Sequence, residues 1–175
     1  MPFRLLRQAA AIGFMALLLW AATALAAPGA NRYVNTEDHY SFAPPAGWKQ
    51  NTRALPKPFV LFVGPIEQQF AVNLNIYSEP IGNMSLDQYV ALSKQKAAQS
   101  KIVTISAVRP AKLDGVPAYR LSGTLQMGAR KVANRQVVCV RNKRGYVLTL
   151  SASPATIKKY DPVFDKIIAS FTWEK

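Results

Sequence analysis

The chain has 175 residues, with 22 Lys and Arg against 9 Asp and Glu, one His and one Cys, for a formal net charge of +13. That length holds one ordinary domain after any leader is set aside. One cysteine excludes an intramolecular disulfide framework. One histidine and thinly spread acids leave no seat for a catalytic triad or a carboxylate pair. No glycine-rich nucleotide loop is present either.

In chain order, Met1–Arg7 carries Arg4 and Arg7 and no acid, and a nearly continuous apolar run from Ala9, containing Phe14 to Trp20, follows it. Ala24-Leu25-Ala26 closes the run with small residues at alternate positions. Basic, apolar, then small is the order of a secretory leader, so residues 1–26 are expected to be removed after Ala26. The competing reading is an uncleaved anchor, since the run approaches spanning length of about 20 residues. Either way the N-terminal arginines keep that end inside and place the rest outside the cytoplasm. No cysteine lies near the cleavage point to carry a lipid. With Arg4 and Arg7 gone, twenty basic residues face the same nine acids.

Residues 27–38 read as a tether and lead-in, and 39–175 as one domain. Tyr40–Ala43 is a short expected strand, stopped by Pro44 and Pro45. Lys49–Pro58 reads as loop and Phe59–Val63 as a strand. Over Gln69–Tyr77, Phe70, Val72, Leu74 and Ile76 alternate with Ala71, Asn73, Asn75 and Tyr77, which predicts a strand with one core face. On the other face Asn73 and Asn75 either line a polar groove or are satisfied by water. Ser85-Leu86-Asp87-Gln88 is a capping box opening a helix to about Ser100. Ile102–Leu113 and Val116–Met127 flank Asp114-Gly115, a hairpin turn. Val132–Asn142 and Tyr146–Ala152 flank a second turn, placed at Lys143-Arg144-Gly145. Cys139 falls in an apolar strand run and reads as a buried, inert thiol. Asp161 is an expected N-cap before Pro162, with Val163, Phe164, Ile167, Ile168 and Phe171 facing a core. Trp48 and Trp173 are expected near the junction of helix and sheet. Strands joined by tight turns between two helices predict an α+β fold, a central antiparallel sheet flanked by helices.

The run Tyr40-Ser41-Phe42-Ala43-Pro44-Pro45-Ala46-Gly47-Trp48 resembles the opening motif of the PsbP-like family. Ser85-Leu86-Asp87-Gln88-Tyr89-Val90 resembles its first helix, and Leu113-Asp114-Gly115-Val116-Pro117-Ala118-Tyr119-Arg120-Leu121 its hairpin. Gly145–Leu150, Ala152–Pro154, Lys159–Phe164 and Ile167–Phe171 are similar to its closing strand and helix. The blocks follow the family's order across nearly the whole domain. The resemblance implies an α-β-α sandwich, and the lack of a catalytic constellation leaves a non-enzymatic protein as the expectation. In oxygenic phototrophs the family includes an extrinsic subunit of photosystem II that supports calcium and chloride retention. In other bacteria it includes DcrB-like envelope proteins. It also implies an association with calcium or zinc.

Between Arg109 and Arg144 nine basic residues stand against Asp114 alone. Such a field attracts acidic surfaces, and outside the cytoplasm these are acidic membrane-associated proteins or anionic membranes rather than nucleic acid. Arg120, Arg130, Lys131, Arg135, Arg141, Lys143 and Arg144 are therefore the expected partner-binding residues of a monomeric docking domain. The alternative is a periplasmic carrier of a small ligand or of calcium or zinc. For such an ion His39 and Asp38 are the candidate ligands, although neighbouring residues of an extended segment point to opposite faces.

Overall fold

The alternation through Phe70–Tyr77 does what its period requires, and the rest of the sheet is built around it. A computed structural model describes residues 32–52 and 59–175. The leader over 1–26 and residues 27–31 of the tether lie outside the described residues. Ten strands occur among those described: β1 Tyr33–Asn35, β2 Tyr40–Phe42, β3 Lys49–Gln50, β4 Phe59–Glu67, β5 Phe70–Pro80, β6 Val103–Leu113, β7 Val116–Met127, β8 Arg130–Arg141, β9 Arg144–Ala152 and β10 Thr172–Trp173. Helix α1 spans Leu86–Ser100, and α2 spans Asp161–Ser170 after a 3-10 turn at Ile157–Tyr160. Seven strands form one antiparallel sheet in the order β3-β4-β5-β9-β8-β7-β6, and β1-β2-β10 form a second, small sheet. The expected α+β architecture is the observed one.

Strand register sorts the side chains of the large sheet onto two faces. Val72, Leu74, Ile76, Ala118, Val137, Cys139, Leu148 and Leu150 point to one face, where they meet Tyr40, Phe42, Phe164, Ile167 and Phe171 from the small sheet and α2. On the other face Leu121, Val138, Ile105, Val108 and Val147 meet Tyr89 and Val90 of α1. The capping box forms as expected: Gln88 N–H donates to Ser85 Oγ at 3.2 Å, and Ser85 N–H donates to Gln88 Oε1 at 2.8 Å. At α2 the expectation fails in one detail. Asp161 is the first helical residue rather than the cap, and its carboxylate is used elsewhere.

The turns show where local signals suffice. Asp114 and Gly115 both take positive φ, 44° and 77°, as a two-residue hairpin turn needs. The second turn, however, is made by Asn142 and Lys143, at φ 50° and 61°. Arg144 and Gly145 belong to β9. Gly145 serves close approach instead: a Cβ there would sit 2.6 Å from the Tyr89 ring, which rests on it. Tyr89 also donates its hydroxyl to Glu79 Oε1 at 2.8 Å, and burial first, then this bond, push its pKa well up. The small sheet was not foreseen beyond β2. Its three strands have three, three and two residues, below the length at which alternation can be read. Its cement is aromatic: Tyr40 stacks on Phe171 with centroids 5.1 Å apart, and Trp173 lies 4.8 Å from both Tyr146 and Phe171.

Cys139 is fully buried, and burial pushes its thiol up to about 12 against a smaller lowering effect of Arg141. A thiol that stays protonated is a poor nucleophile. At the far end of β4, Glu67 Oε1 accepts from Lys159 Nζ at 2.5 Å and from Tyr160 Oη at 2.8 Å. These hydrogen bonds, Lys159 first, hold the Glu67 pKa below its ordinary 4.5. A carboxylate with a depressed folded pKa contributes stability that is present above the unfolded value and lost as pH falls through the folded one. Glu67→Gln is therefore expected to lower the urea midpoint at about pH 6, and the gap to the parent is expected to narrow as pH falls below the unfolded value and through the depressed folded one. Parallel midpoints across that range, measured by circular dichroism, contradict this.

Candidate functional site

Strand β8 carries four of the seven cations expected to bind a partner, and its length decides their arrangement. Arg130 opens it and Arg141 closes it. At roughly 3.3 Å per residue these lie about 36 Å apart. The seven do not form one patch. Arg130 and Lys131 stand at one end of the sheet, Arg141, Lys143 and Arg144 at the other, and Arg120 and Arg135 between them on the α2 face. The single positive face expected from the sequence is corrected to three separate groups.

Most of these cations are also engaged. Arg130 donates through Nη1 to the Gln69 carbonyl oxygen at 3.0 Å. Arg141 lies over the Trp173 ring, 4.8 Å from its centroid. Arg144, misplaced at a turn tip by the sequence, points inward. Its Nε is 3.1 Å from Asp38 Oδ1, and its Nη2 donates to Ser78 Oγ at 2.9 Å. Ser78 in turn donates to Asp38 Oδ2 at 2.7 Å. Of the seven, only Lys131 and Lys143 are exposed with a side chain that has no ion-pair or hydrogen-bond partner among the described residues.

The same network disposes of the expected metal ligands. The Asp38 side chain is 3% exposed and committed to Arg144 and Ser78, so a calcium or zinc ion there meets a guanidinium. His39 is exposed at φ 51° and lies in a shallow depression with Glu174, away from the Asp38 carboxylate's partners. Among the described residues no group of three or more His, Cys, Asp or Glu side chains is placed to hold a metal.

What the fold does assemble is a cleft of about 370 Å³ between α2 and strands β6–β8. Arg109, Arg120 and Arg135 line it, with Phe164, Asp161 and Asp165 from the helix. Arg120 Nη1 donates to Asp165 Oδ1 at 2.6 Å, and Arg135 Nε to Asp161 Oδ1 at 2.9 Å. Arg109 lies directly opposite Arg120 in the β6–β7 register and has no partner among the described residues. Sequence reading weighed charge only within 109–144 and so missed the acids. The spacing of Asp161 and Asp165, four apart and so on one helix face, was the available signal. On the opposite face of the sheet two cross-strand rows are polar. Asn73, Ser151 and Asn134 form one, and Asn75, Thr149 and Gln136 the other. Ser151 donates to Asn134 Oδ1 at 3.0 Å and Gln136 to Thr149 Oγ1 at 3.2 Å, so these side chains largely satisfy one another.

The PsbP family model matches residues 28–173. No curated protein matches the sequence. Among solved structures, the fold is similar to that of cyanobacterial PsbP (CyanoP) from Synechocystis sp. PCC 6803, with a TM-score of 0.60 at 20% identity, covering 82% of this chain and 91% of that one. It is similar to LpqN of Mycobacterium tuberculosis, a protein involved in cell envelope biogenesis, with a TM-score of 0.60 at 15% identity over 83% of this chain and 90% of that one. PA94 of Pseudomonas aeruginosa, of unknown function, gives 0.56 at 18% identity over 78% and 91%. At these identities the likeness is one of fold.

The Asp38 network carries a stability prediction. Arg144→Gln strands a buried carboxylate and is expected to cost about 3 kcal/mol, the lower end for a broken buried pair because Arg144 is partly exposed. Adding Asp38→Asn should recover part of that loss, because the uncompensated charge goes with it. Urea denaturation of the two variants checks both steps; a single variant as stable as the parent refutes the network's role.

Proposed function

The chain belongs to the PsbP family, and from that premise we propose that it is an exported, non-enzymatic domain that docks on an acidic partner by charge. The leader-like residues 1–26 support export. Among the described residues no helix is long and apolar enough to cross a membrane. One observation carries the docking reading: the cationic surplus left once the ion pairs are drawn. Arg120, Arg135, Arg144 and Lys159 have carboxylates. Arg109, Lys112, Lys131 and Lys143, all on the β6–β9 meander, have none among the described residues. Because these sit at both ends and on one edge of the sheet, the surplus acts first as a field that draws an acidic surface in. An acidic membrane-associated protein is the partner this favours. In an oxygen-evolving host the family's place at photosystem II makes that complex the first to test, and elsewhere an envelope complex.

Screening reaches about 10 Å at 0.1 M salt and about 3 Å at 1 M, so association of this kind weakens as salt rises. Pull-down from washed membranes with the domain lacking residues 1–26 is expected to recover its partners at about 0.05 M salt and lose most of them by about 0.5 M. Equal recovery at both salts overturns the electrostatic reading.

A further inference from the structure

The docking reading leaves open where specific contact is made, and the cleft under α2 answers it. We infer that this cleft is a carboxylate-recognition site for an acidic segment of a protein partner, an inference that rests on the docking reading above.

Three guanidinium groups and two carboxylates line the cleft, so it is one anion short. Like charges placed directly across a strand pair are destabilising. Arg109 and Arg120 are so placed, and only Arg120 has an internal acid. The donors are also incompletely used. Arg120 bonds Asp165 through Nη1, and Arg135 bonds Asp161 through Nε, which leaves Arg120 Nε and Nη2 and the whole of Arg109 available among the described residues. Arginine's planar fork suits a carboxylate, and the two internal pairs show that this cleft already binds that group at 2.6 and 2.9 Å.

Shape decides between an acidic chain and an anionic membrane. The arginines line a cleft beside a helix, and two carboxylates stand with them. A flat anionic surface would press its own charges against Asp161 and Asp165. A single side-chain carboxylate can instead approach Arg109, which has no internal acid among the described residues and stands across the strand pair from Arg120. At about 370 Å³ the space takes a few side chains of a peptide rather than a folded surface.

The test uses the domain without residues 1–26, a labelled hexaglutamate peptide read by fluorescence anisotropy, and phosphatidylglycerol vesicles read by co-sedimentation. Arg109→Gln, an exposed site with no partner to lose, is expected to weaken peptide binding about tenfold. Asp165→Asn, which releases Arg120, should strengthen it several-fold. Lys94→Gln makes the same charge change on α1, across the sheet, and should alter affinity less than about twofold. Equal weakening by Arg109→Gln and Lys94→Gln overturns the cleft, as does vesicle binding without peptide binding. Salt-sensitive recovery of membrane partners by the same Arg109→Gln protein, together with unchanged peptide affinity, removes the cleft and leaves docking standing. Salt-insensitive recovery by the parent removes the docking reading itself.

Discussion

Two short helices cannot cover a seven-stranded sheet, and most of the surface chemistry follows from that shortfall. Ten residues of α2 extend about 15 Å. Seven strands spaced about 4.8 Å apart make a face nearly twice as wide. On the α2 face the small β1-β2-β10 sheet completes the cover on one side, and its aromatic rings do there what a third helix does elsewhere. Beyond the other side of α2 the pleat of β6, β7 and β8 continues to point side chains toward the same face. Those positions cannot be apolar without exposing a sticky patch, and they are Arg109, Arg120 and Arg135. On the opposite face α1 covers β6, β7 and the adjoining parts of β8 and β9, and what it leaves open presents the amides and hydroxyls of β5, β8 and β9 beside half-buried Leu61 and Val63 of β4. The same geometric deficit is thus met with charge on one face and with neutral polarity on the other.

Charge in this protein is arranged by tertiary structure more than by sequence neighbourhood. Each paired arginine of the meander finds its acid far along the chain: Arg120 with Asp165, Arg135 with Asp161, Arg144 with Asp38. The first two pairs are substantially exposed, and pairs of that kind contribute at most about 1 kcal/mol each. They orient α2 on the sheet without anchoring it; Phe164 and Ile167 do the anchoring. Asp161 also sits in the first turn of α2, where a negative charge is favoured by the helix dipole. The Asp38 carboxylate is different in kind. It is buried, and its contacts with Arg144 and Ser78 tie the turn before β2 to β5 and β9, beside the buried rings of Tyr40 and Phe42.

How much was legible in the sequence depended on whether a signal was local. Ser85 and Gln88 announce α1 because a capping box is complete within four residues. Asp114-Gly115 announces its hairpin because glycine is cheap at positive φ. Asn142-Lys143 makes the same kind of turn with no glycine. Gly145, two residues on, drew the turn to itself, although its real use is to seat Tyr89. That displacement sent Arg144 to the surface on paper when its strand position turns it inward. The dispersal of the cations was readable in principle, since Arg130 and Arg141 at opposite ends of one strand cannot be neighbours. The acids that complete the cleft were not, because pairing Asp161 and Asp165 with β7 and β8 requires knowing where α2 docks.

Strand β6 adds a last constraint on how any partner approaches. It is an edge strand of eleven residues, long enough to template another strand. Its sequence blocks that use. Pro110 removes a donor from its middle, the register breaks between Ile105 and Ala107, and Arg109 and Lys112 place charge along it. A partner therefore gains little by adding backbone hydrogen bonds at this edge. What this edge offers instead is side chains, including Arg109 and Lys112, which are unpaired among the described residues, and of these two Arg109 lines the cleft. An edge guarded against strand addition and a recess lined with guanidinium groups favour the same mode of contact, in which the partner contributes acidic side chains and the sheet itself stays closed.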